Sequence, residues 1–427
     1  MAKKELKRIN LDEIENPSFL GSLSHTELGL LASDIRENII LNVSKNGGHL
    51  SSNLGVVEST IALCRCFDFS KDKIIFDVGH QSYTYKILTG RSLDGLRTKD
   101  GISGFQKCSE SPYDHYEAGH SSTSISAASA FAYARDLNHD KYNVIAFIGD
   151  GSISNGLAFE GLNVNQQNNN KIIIVLNDNG MSISKPVGAM ARGFRKFSTS
   201  NFYRKSKHFY QRLMHKTKLG RKIYSWTASV KNWFKRHLIK INMFDNLGYS
   251  VIGPVDGHNI KAMEKAFERA KKTDKSVVIH IKTIKGKGYE YSENDVEGNW
   301  HGVGKFNQET GQSINAELET WSDIYETFVY DKMSNDEKVI TIVPGTSVGS
   351  KLTPVFKDFS NRIIDVGIAE EHAVVLAAGF ACNGYHPIIS MYSTFLQRSY
   401  DEISHDLSRM NLSATFLIDR SGLVGAD

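Results

Sequence analysis

The sequence predicts an α/β protein in which parallel sheets are covered by helices on both faces. From residue 70 onward, short runs of branched apolar side chains alternate with longer segments of helical periodicity. Each run spans four to seven residues and ends in a polar residue or glycine, which is typical of strands buried on both faces. The composition of the 427-residue chain, 40% hydrophobic and 23% charged, is that of a globular protein with room for two or three domains. These observations favour layered α/β domains over an all-helical or all-β fold.

The predicted elements fall into two series. The strands of the first series are DKIIFDVG, YNVIAFIGD, KIIIVLND and SVVIHIKT, and those of the second are VITIVPG, NRIIDVG, HPIISMY and SATFLID. Helices are predicted at SSTSISAASAFAYARDL, which Ser and Thr caps open, and at NGLAFEGLNVNQQ, EEHAVVLAAGFACNG and SYDEISHDLSRM. The polar stretch NQETGQSINAELET separates the series. We therefore predict one domain over residues 1–315 and a second over residues 316–427.

The second series stops soon after its fourth strand. Only SGLVGAD follows SATFLID, so neither a closing helix nor a polar tail is present. A parallel strand is normally covered on both faces, and a sheet that ended here would leave apolar surface and backbone groups unpaired. We expect the second domain to be incomplete, with its remainder missing or supplied by another polypeptide.

Hydropathy and cysteine content exclude several classes of protein. The start of the chain, MAKKELKRIN, has no apolar stretch behind it, and runs such as KIIIVL are too short to cross a bilayer, so we expect a cytoplasmic protein with no membrane partner. The four cysteines form no paired C-x-x-C pattern, which argues against both a disulfide framework and a zinc site. We expect Cys64 and Cys66 to be buried free thiols.

A basic segment interrupts an otherwise acidic chain. Residues 191–240 contain 15 Lys or Arg and no Asp or Glu, although the net charge of the whole chain is only +4. The aromatic residues interleaved with these charges would suit nucleic acid or an anionic membrane. A charge run alone is weak evidence, and we favour a solvated helical insertion and expect no nucleic-acid partner.

The stretch FIGDGSISNG places Asp150 between two glycines at the end of an apolar strand. Asn179 follows the next apolar strand in VLNDNGMSIS, and ligands collect at the carboxyl ends of parallel strands. A carboxylate, an amide oxygen and a backbone carbonyl such as that of Met181 make half of an oxygen shell for Mg²⁺, which phosphate oxygens and water complete. The amides of Gly151 and Ser152, at the start of the following helix, would bind a diphosphate. Asp-Gly taken alone is also common turn chemistry.

The motif pair resembles the magnesium-diphosphate signature of thiamine-diphosphate enzymes. Further stretches match along most of the chain: GGHLSSNLGVVE, FDVGHQSYTYKILTGR, EAGHSSTSISAA, GYSVIGPVDGH, KGKGYEYSE, IAEEHA, YSTFLQRSYDEISHD and IDRSGLVGAD. On these residues the chain resembles the 1-deoxy-D-xylulose-5-phosphate synthase family of the transketolase superfamily. The resemblance implies a thiamine-diphosphate-binding, transketolase-like fold. It also implies condensation of pyruvate with D-glyceraldehyde 3-phosphate to 1-deoxy-D-xylulose 5-phosphate, with release of CO₂.

Thiamine diphosphate and Mg²⁺ are the cofactors that the resemblance implies. Asp150 and Asn179 match the metal ligands, and Gly151 and Ser152 match the diphosphate cradle. Asn179 also matches a cofactor contact. The other matching cofactor contacts are His80, Gly119, His120, Ser121 and Tyr289.

Glu370 matches the catalytic glutamate of the family. A glutamate bound to the aminopyrimidine ring would favour the tautomer that removes the proton from C2 of the cofactor. From its position alone, Glu370 also suits a first-turn carboxylate that complements a helix dipole, although the neighbouring Glu371 fits that role better. His49, in GGHLSS, resembles the active-site histidine that transfers protons to bound intermediates.

The sugar phosphate needs a cationic clamp on the substrate side. The resemblance places Tyr392, Arg398 and Arg420 there, and a guanidinium fork suits phosphate geometry. Asp427 matches another substrate contact and is the last residue of the chain.

The family pattern continues past VGAD into a histidine-containing segment, the rest of the pyrimidine-binding domain and a C-terminal domain that this chain lacks. Three interpretations stay open: a fragment of a full synthase, one half of a split enzyme, or a cofactor-binding remnant without activity. We favour the first. A transketolase that transfers two-carbon units is the alternative within the enzyme class, although FLQRSYDEISHD and IGPVDGH favour the synthase. Family members are homodimers, so we expect a dimer.

Overall fold

The computed structural model describes residues 8–167, 170–180, 243–314 and 319–422. The basic segment at 191–240 and the boundary predicted at residue 315 lie outside these ranges. Two site predictions, Met181 and Asp427, also fall outside them.

Nine parallel strands form two sheets in the described part of the chain. The first sheet has the order β1-β2-β3-β5-β4 and the second the order β7-β6-β8-β9. The strands are β1 Lys73–Phe76, β2 Val144–Gly149, β3 Ile173–Asp178, β4 Ser250–Asp256, β5 Val277–Lys282, β6 Val339–Val343, β7 Ile363–Asp365, β8 His386–Tyr392 and β9 Thr415–Asp419. The predicted α/β class, with parallel sheets and helices on both faces, is confirmed.

Helices connect these strands and cover the sheets. The first unit comprises the described residues up to 314, which hold the first sheet, and the second unit comprises residues 319–422, which hold the second sheet. The helices of the first unit are α1 His25–Asn46, α2 Ser51–Leu54, α3 Val57–Cys66, α4 Tyr83–Leu88, α5 Ser124–Leu137, α6 Gly156–Asn165, α7 Met243–Asn246, α8 Ile260–Lys271 and α9 Glu290–Glu293. Those of the second are α10 Trp321–Asn335, α11 Thr353–Asp358, α12 Glu370–Cys382, α13 Ser393–Leu396 and α14 Tyr400–Glu402. Short 3₁₀ helices lie at Leu11–Glu13, Pro17–Ser22, Ser152–Ser154 and Gln397–Ser399.

The central strands bury both faces because successive side chains point to opposite sides of the sheet. In β2, Ile145 and Phe147 pack into a core with α1, α3 and α8, whereas Ala146 and Ile148 pack into a core with α5 and α6. The second sheet repeats this arrangement, with α12 on one face and α10 and α11 on the other. Because all strands of each sheet are parallel, their carboxyl ends and the polar residues that follow them lie at one edge of the sheet.

The last strand differs from its neighbours. Within the described residues, β9 pairs with β8 alone, and its side chains are half-buried or exposed. By contrast, six of the seven residues of β8 are buried.

Three local predictions needed correction. The strand β4 was not predicted, because Gly253 and Pro254 interrupt its apolar run and much of it is exposed. The helix predicted at SYDEISHDLSRM is a single α-turn that continues as a π-helix over Ile403–Ser408. Gly151 and Ser152 do not lie at the start of α6, because the extended backbone of Asn155 separates that helix from the 3₁₀ turn that precedes it.

No helix within the described ranges is long and apolar enough to span a membrane. All four cysteines are free; Cys64 is buried, as expected, whereas Cys66 is only half-buried.

Candidate active site

Asp150 is a buried carboxylate held by backbone donors. It directly follows β2, and its Oδ1 and Oδ2 each accept a hydrogen bond of 3.0 Å, from the N–H of Gly151 and of Gly180 respectively. Burial, together with the negative charge of Asp178, raises the pKa of Asp150 to about 7. A cation would favour its ionised form, because a nearby positive charge lowers the pKa of a carboxyl group.

The other predicted ligands lie close by in the chain. Asn179 follows β3, the strand beside β2, and Gly151 and Ser152 form the turn after Asp150. The described residues contain no group of three or more His, Cys, Asp or Glu side chains arranged to hold a metal. The predicted magnesium shell instead has one carboxylate, the amide oxygen of Asn179 and a backbone carbonyl, with the remaining positions for phosphate and water.

Asp77 joins the loop at residues 119–121 to the sheet. Its carboxylate accepts hydrogen bonds from the N–H of Ser122 at 2.8 Å and from the hydroxyl of Ser124 at 2.7 Å. The hydroxyl of Ser122 in turn donates to the carbonyl of Ser152 at 2.8 Å. These contacts fix Gly119, whose φ is +101°, and the residues after it against the loop that carries Asp150.

Three histidines from separate loops form a cluster. The ring centroids of His49 and His80 are 5.2 Å apart, and the ring centroid of His301 lies 5.7 Å from that of His49 and 5.3 Å from that of His80. The Nδ1 atoms of all three are buried without a hydrogen-bond partner among the described residues. Burial lowers the pKa of His80 to about 4 and the pKa values of His49 and His301 well below the ordinary value. The cluster is therefore neutral at neutral pH.

Sequence reasoning missed His301, because it lies in a loop without periodicity. The signal is tertiary: Gly48 and Val303 form an antiparallel bridge, with N–H to carbonyl distances of 2.8 and 2.9 Å. This bridge brings His301 against His49.

Asn53 positions the other two histidines. Its side-chain N–H group donates to the carbonyls of His49 and His80, both at 2.7 Å, and its oxygen accepts from the N–H of Tyr83 at 2.9 Å. Asn53 is fully buried, so these bonds are not exchanged with water.

Lys285 is a second functional candidate that sequence reasoning missed. Burial lowers its pKa to about 8, while the negative charges of Asp295 and Asp150 act in the opposite direction. Its positive charge also lowers the pKa values of His80 and His301. The lysine therefore contributes to the electrostatics of both the carboxylate and the histidines.

A buried ion pair anchors the loop that carries Lys285. The Nε of Arg36 donates to the carbonyl of Lys287 at 3.1 Å, and the N–H of Ile284 donates to Nε2 of His258 at 2.8 Å. Because Nε2 accepts, the proton of neutral His258 lies on Nδ1, which is 2.9 Å from Oε2 of Glu58. The same oxygen accepts from Arg36, so Glu58 holds both ends of the loop.

Glu370 begins α12 and is only 3% exposed. Its Oε2 has no hydrogen-bond partner within the described ranges, and Nη1 of Arg398 lies 3.7 Å away. Burial raises the pKa of this carboxyl group, with Arg398 acting against the increase and Glu371 adding to it. A buried oxygen without a donor is costly, so this atom is suited to a donor that a ligand brings.

Arg398 and His120 join the two units. Arg398 donates to the carbonyl of Ser121 and lies 3.4 Å from its hydroxyl, and Nε2 of His120 lies 2.9 Å from the hydroxyl of Thr394. The loop at 119–121 therefore lies between the two carboxylates. Ser122, which follows the loop, binds Ser152 in the turn after Asp150, and Ser121 binds Arg398, which lies beside Glu370. In this structure Arg398 binds protein groups at the position predicted for a phosphate clamp.

Tyr392 and Arg420 lie together at the carboxyl ends of β8 and β9. The guanidinium carbon of Arg420 lies 4.2 Å from the ring centroid of Tyr392, within the range of a cation–π contact. Tyr289 is placed differently: its hydroxyl donates to the carbonyl of Gln308 at 2.9 Å, and its ring packs against Trp300 and Phe306. Its predicted contact with the cofactor stays a prediction.

Comparison with known proteins identifies the relatives of the chain. The family model described as 1-deoxy-D-xylulose-5-phosphate synthase matches residues 11–283, and the model described as transketolase, pyrimidine binding domain, matches residues 319–427. The 1-deoxy-D-xylulose-5-phosphate synthase of Macrococcus caseolyticus is 46% identical over 423 residues, and that of Clostridium beijerinckii is 46% identical over 419. Both alignments cover 98% of this chain and 68% of the relative.

Solved structures of transketolases are also similar. That of Campylobacter jejuni matches 93% of this chain and 70% of its own, with 16% identity and a TM-score of 0.46. That of Leishmania mexicana matches 88% of this chain and 66% of its own, with 14% identity and a TM-score of 0.48.

The parallel sheets, the polar strand ends and the matched family models define a thiamine-diphosphate-dependent transferase of the transketolase type. Within that class, the chain belongs to the 1-deoxy-D-xylulose-5-phosphate synthase family. The family resemblance stated from the motifs is thereby confirmed, and transketolase activity is the less favoured alternative.

Proposed function

We propose that the chain binds Mg²⁺ and thiamine diphosphate between Asp150 and Glu370, and that this site condenses pyruvate with D-glyceraldehyde 3-phosphate. The observation that carries the proposal is the buried Oε2 of Glu370, which has no hydrogen-bond partner in the described part of the chain. A protonated ring nitrogen of an aminopyrimidine would supply the missing donor. When bound, the cofactor supplies a carbanion and accepts the electrons that CO₂ leaves behind.

Asp150 and Asn179 hold the metal in this proposal, with the carbonyl of Met181 as a third protein ligand. The two backbone N–H groups that orient the carboxylate of Asp150 leave further lone pairs on both oxygens for a cation. Gly151 and Ser152 offer backbone amides to the diphosphate. The fit is supported by the buried carboxylate at the end of a parallel strand, where such ligands collect.

Glu370 holds the aminopyrimidine and governs its protonation. Its raised pKa, which burial causes, keeps its proton available at a higher pH than that of an exposed glutamate. Gly119, His120 and Ser121, on the loop between the two carboxylates, complete the cofactor cavity in this proposal, with His80 and Tyr289 as further contacts.

The histidine cluster handles protons on the substrates. His49 is neutral because burial lowers its pKa, so a ring nitrogen such as its unpaired Nδ1 can act as a base toward a bound substrate, provided that negative charge on that substrate offsets the cost of a buried imidazolium. His301 lies close enough to share this task, since its ring centroid is 5.7 Å from that of His49.

Tyr392, Arg398 and Arg420 bind the phosphate of the acceptor aldehyde, and Asp427 contacts the substrate. For Arg398 this requires that phosphate compete with the carbonyl of Ser121, which the guanidinium now binds. Arg420, stacked on Tyr392, presents its edge N–H groups without breaking that stack.

Assembly and location complete the proposal. We propose a homodimer in the cytoplasm, with residues 1–315 as the diphosphate-binding domain and residues 316–427 as the pyrimidine-binding domain. The separate family models for residues 11–283 and 319–427 support this division.

The test is an assay of the 427-residue chain with pyruvate, glyceraldehyde 3-phosphate, thiamine diphosphate and Mg²⁺. Release of CO₂ together with deoxyxylulose phosphate supports the proposal. Consumption of ketose donors without decarboxylation of pyruvate would favour a transketolase. Tight cofactor binding with neither reaction, even after the C-terminal portion of a relative is added as a separate polypeptide, would indicate a non-catalytic binding protein.

A further inference from the structure

Asn155 joins the two units of the molecule through its side-chain amide. Its oxygen accepts from the N–H of Leu157 at 2.9 Å and thereby caps α6. Its Nδ2 donates to the carbonyl of Ile368, also at 2.9 Å, in the loop between β7 and α12. Asn155 is 2% exposed and Ile368 is half-buried, so this bond crosses between the units in a place that is partly shielded from water.

The two contacts fix the orientation of the amide. The N–H of Leu157 can pair only with the side-chain oxygen, and the carbonyl of Ile368 can pair only with the side-chain nitrogen. Asparagine meets both requirements. Aspartate has no donor for Ile368, and serine is too short to reach both partners at once.

Short, hydrogen-bonded segments connect this bond to both carboxylates of the site. Asp150 lies five residues before Asn155, across a 3₁₀ turn in which the hydroxyl of Ser154 donates to the carbonyl of Gly151 at 2.7 Å. Glu370 lies two residues after Ile368, across a turn closed by a 2.8 Å bond from the N–H of Ala369 to the carbonyl of Gly367. Little free backbone remains on either side to absorb a change at Asn155.

We infer that Asn155 is a positioning residue that sets the separation between the diphosphate end of the site, at Asp150, and the pyrimidine end, at Glu370. The inference rests on the proposed function in one respect, namely that one ligand spans both ends. Such a ligand has a fixed length, and an error of about 1 Å in the separation weakens one end or the other. A ligand that occupies only the diphosphate end does not depend on the separation.

This difference gives the test. In Asn155→Ser, the hydroxyl can still cap α6, but the bond to Ile368 is lost. We expect the affinity for thiamine diphosphate with Mg²⁺ to fall about tenfold, the effect of losing one buried hydrogen bond, whereas the affinity for inorganic pyrophosphate with Mg²⁺ stays unchanged. Asn155→Thr, whose hydroxyl can also cap α6 but has no amide N–H for Ile368, should behave in the same way and serves if the serine variant folds poorly.

Asn259→Ser is the matched control. Asn259 caps α8 with a 3.0 Å bond from the N–H of Ala262, but it is exposed and contacts no residue of the second unit in any described hydrogen bond. Asn259→Ser should therefore alter a helix cap in the same way as Asn155→Ser, while the affinities for thiamine diphosphate and for pyrophosphate stay unchanged.

Hydrogen–deuterium exchange of the cofactor-free proteins provides a readout that does not depend on binding. Amides of residues 366–373 should exchange faster in Asn155→Ser than in the wild type, and at the wild-type rate in Asn259→Ser. Unchanged exchange, or an equal loss of affinity for both ligands, would overturn the inference. A wild-type chain that binds neither ligand would instead overturn the proposed function, while the exchange measurement would still decide the role of Asn155.

Discussion

Asp150 and Glu370 are both buried carboxylates that follow strands of parallel sheets, but their hydrogen bonds differ. Both oxygens of Asp150 accept backbone N–H groups at 3.0 Å, whereas Oε2 of Glu370 has no hydrogen-bond partner in the described ranges. Asp150 is thus fixed in orientation by the protein itself. Glu370 keeps an acceptor oxygen that a hydrogen-bond donor of a ligand can fill. In the proposed function, the carboxylate of Asp150 therefore serves the metal and that of Glu370 serves the aminopyrimidine ring.

Their electrostatic surroundings differ in the same way. Burial raises both pKa values, and each site has one carboxylate and one cation nearby. The larger charge effect at Asp150 comes from the carboxylate of Asp178, with Lys285 opposing it, whereas at Glu370 it comes from Arg398, with Glu371 opposing it. A cation beside Asp150 would relieve repulsion between two carboxylates. Glu370 already has a cation 3.7 Å away and needs a hydrogen-bond donor rather than a second positive charge.

The largest effect is expected for Asp150→Ala. Removing the one charged protein ligand among those proposed for the metal should weaken magnesium-dependent binding of thiamine diphosphate by at least about 100-fold, as measured by titration calorimetry. Asp140→Ala, at an exposed position with no described role, is the control. Unchanged affinity in Asp150→Ala would show that Asp150 is not a metal ligand, which would contradict the role that the comparison gives it.

A third buried carboxylate sharpens the comparison, because Glu58 is fully paired. Burial raises its pKa, but hydrogen bonds from His258 and Arg36 and the charge of Arg36 outweigh burial and lower the pKa to about 2. Glu58→Gln should lower the free energy of unfolding by about 2–3 kcal/mol. Glu370→Gln should cost no stability, because burial raises the pKa of Glu370 despite the nearby Arg398, so its ionised form does not stabilise the fold. Urea unfolding of both variants measures the difference, and equal losses would contradict it.

The pairing of Glu58 also predicts a pH dependence. Its folded-state pKa lies below the ordinary value of 4.5, so its contribution to stability is complete above pH 4.5 and is lost as the pH falls toward about 2. Unfolding midpoints of the wild type and Glu58→Gln should therefore converge over this range. Midpoints that stay a constant distance apart would show that the charge of Glu58 does not stabilise the fold.

A smaller effect is expected on the substrate side. A Cβ at Gly349 would lie 1.8 Å from the hydroxyl of Tyr392, so Gly349→Ala must displace that ring and the Arg420 stacked on it. We expect the KM for glyceraldehyde 3-phosphate to rise about fivefold, with cofactor affinity unchanged. Gly379→Ala, where a Cβ meets nothing within 4 Å, should leave both unchanged. A normal KM in Gly349→Ala would argue against a phosphate site at Tyr392 and Arg420.

The sequence predicted those parts of the molecule that local chemistry determines. Eight of the nine described strands follow from apolar runs, and those runs placed Asp150 and Asn179 at the ends of two successive strands, which the structure shows to be neighbours in the sheet. The role of Glu370 came from the family motif, because a first-turn carboxylate has no distinguishing pattern of its own. Its burial and its unpaired oxygen appear only in the structure.

The missed features depend on contacts between distant parts of the chain. His301 meets His49 through the bridge between Gly48 and Val303, which no periodicity indicates. Asn155 is the second-last residue of the stretch FIGDGSISNG, and its position in the sequence suggests only a helix cap. Its partner, Ile368, lies more than 200 residues away, so the second bond of its amide is visible only in three dimensions.

The measurement that tests the comparison most directly is proton exchange at C2 of thiamine diphosphate, followed by NMR, in Glu370→Gln at saturating Mg²⁺ and cofactor. The account predicts exchange at least about 100-fold slower than in the wild type, with cofactor affinity within a few-fold of it, because Glu370 governs protonation and Asp150 governs binding. Glu371→Gln should exchange at the wild-type rate. Normal exchange in Glu370→Gln, or a loss of cofactor binding as complete as that in Asp150→Ala, would contradict the division of roles between the two carboxylates.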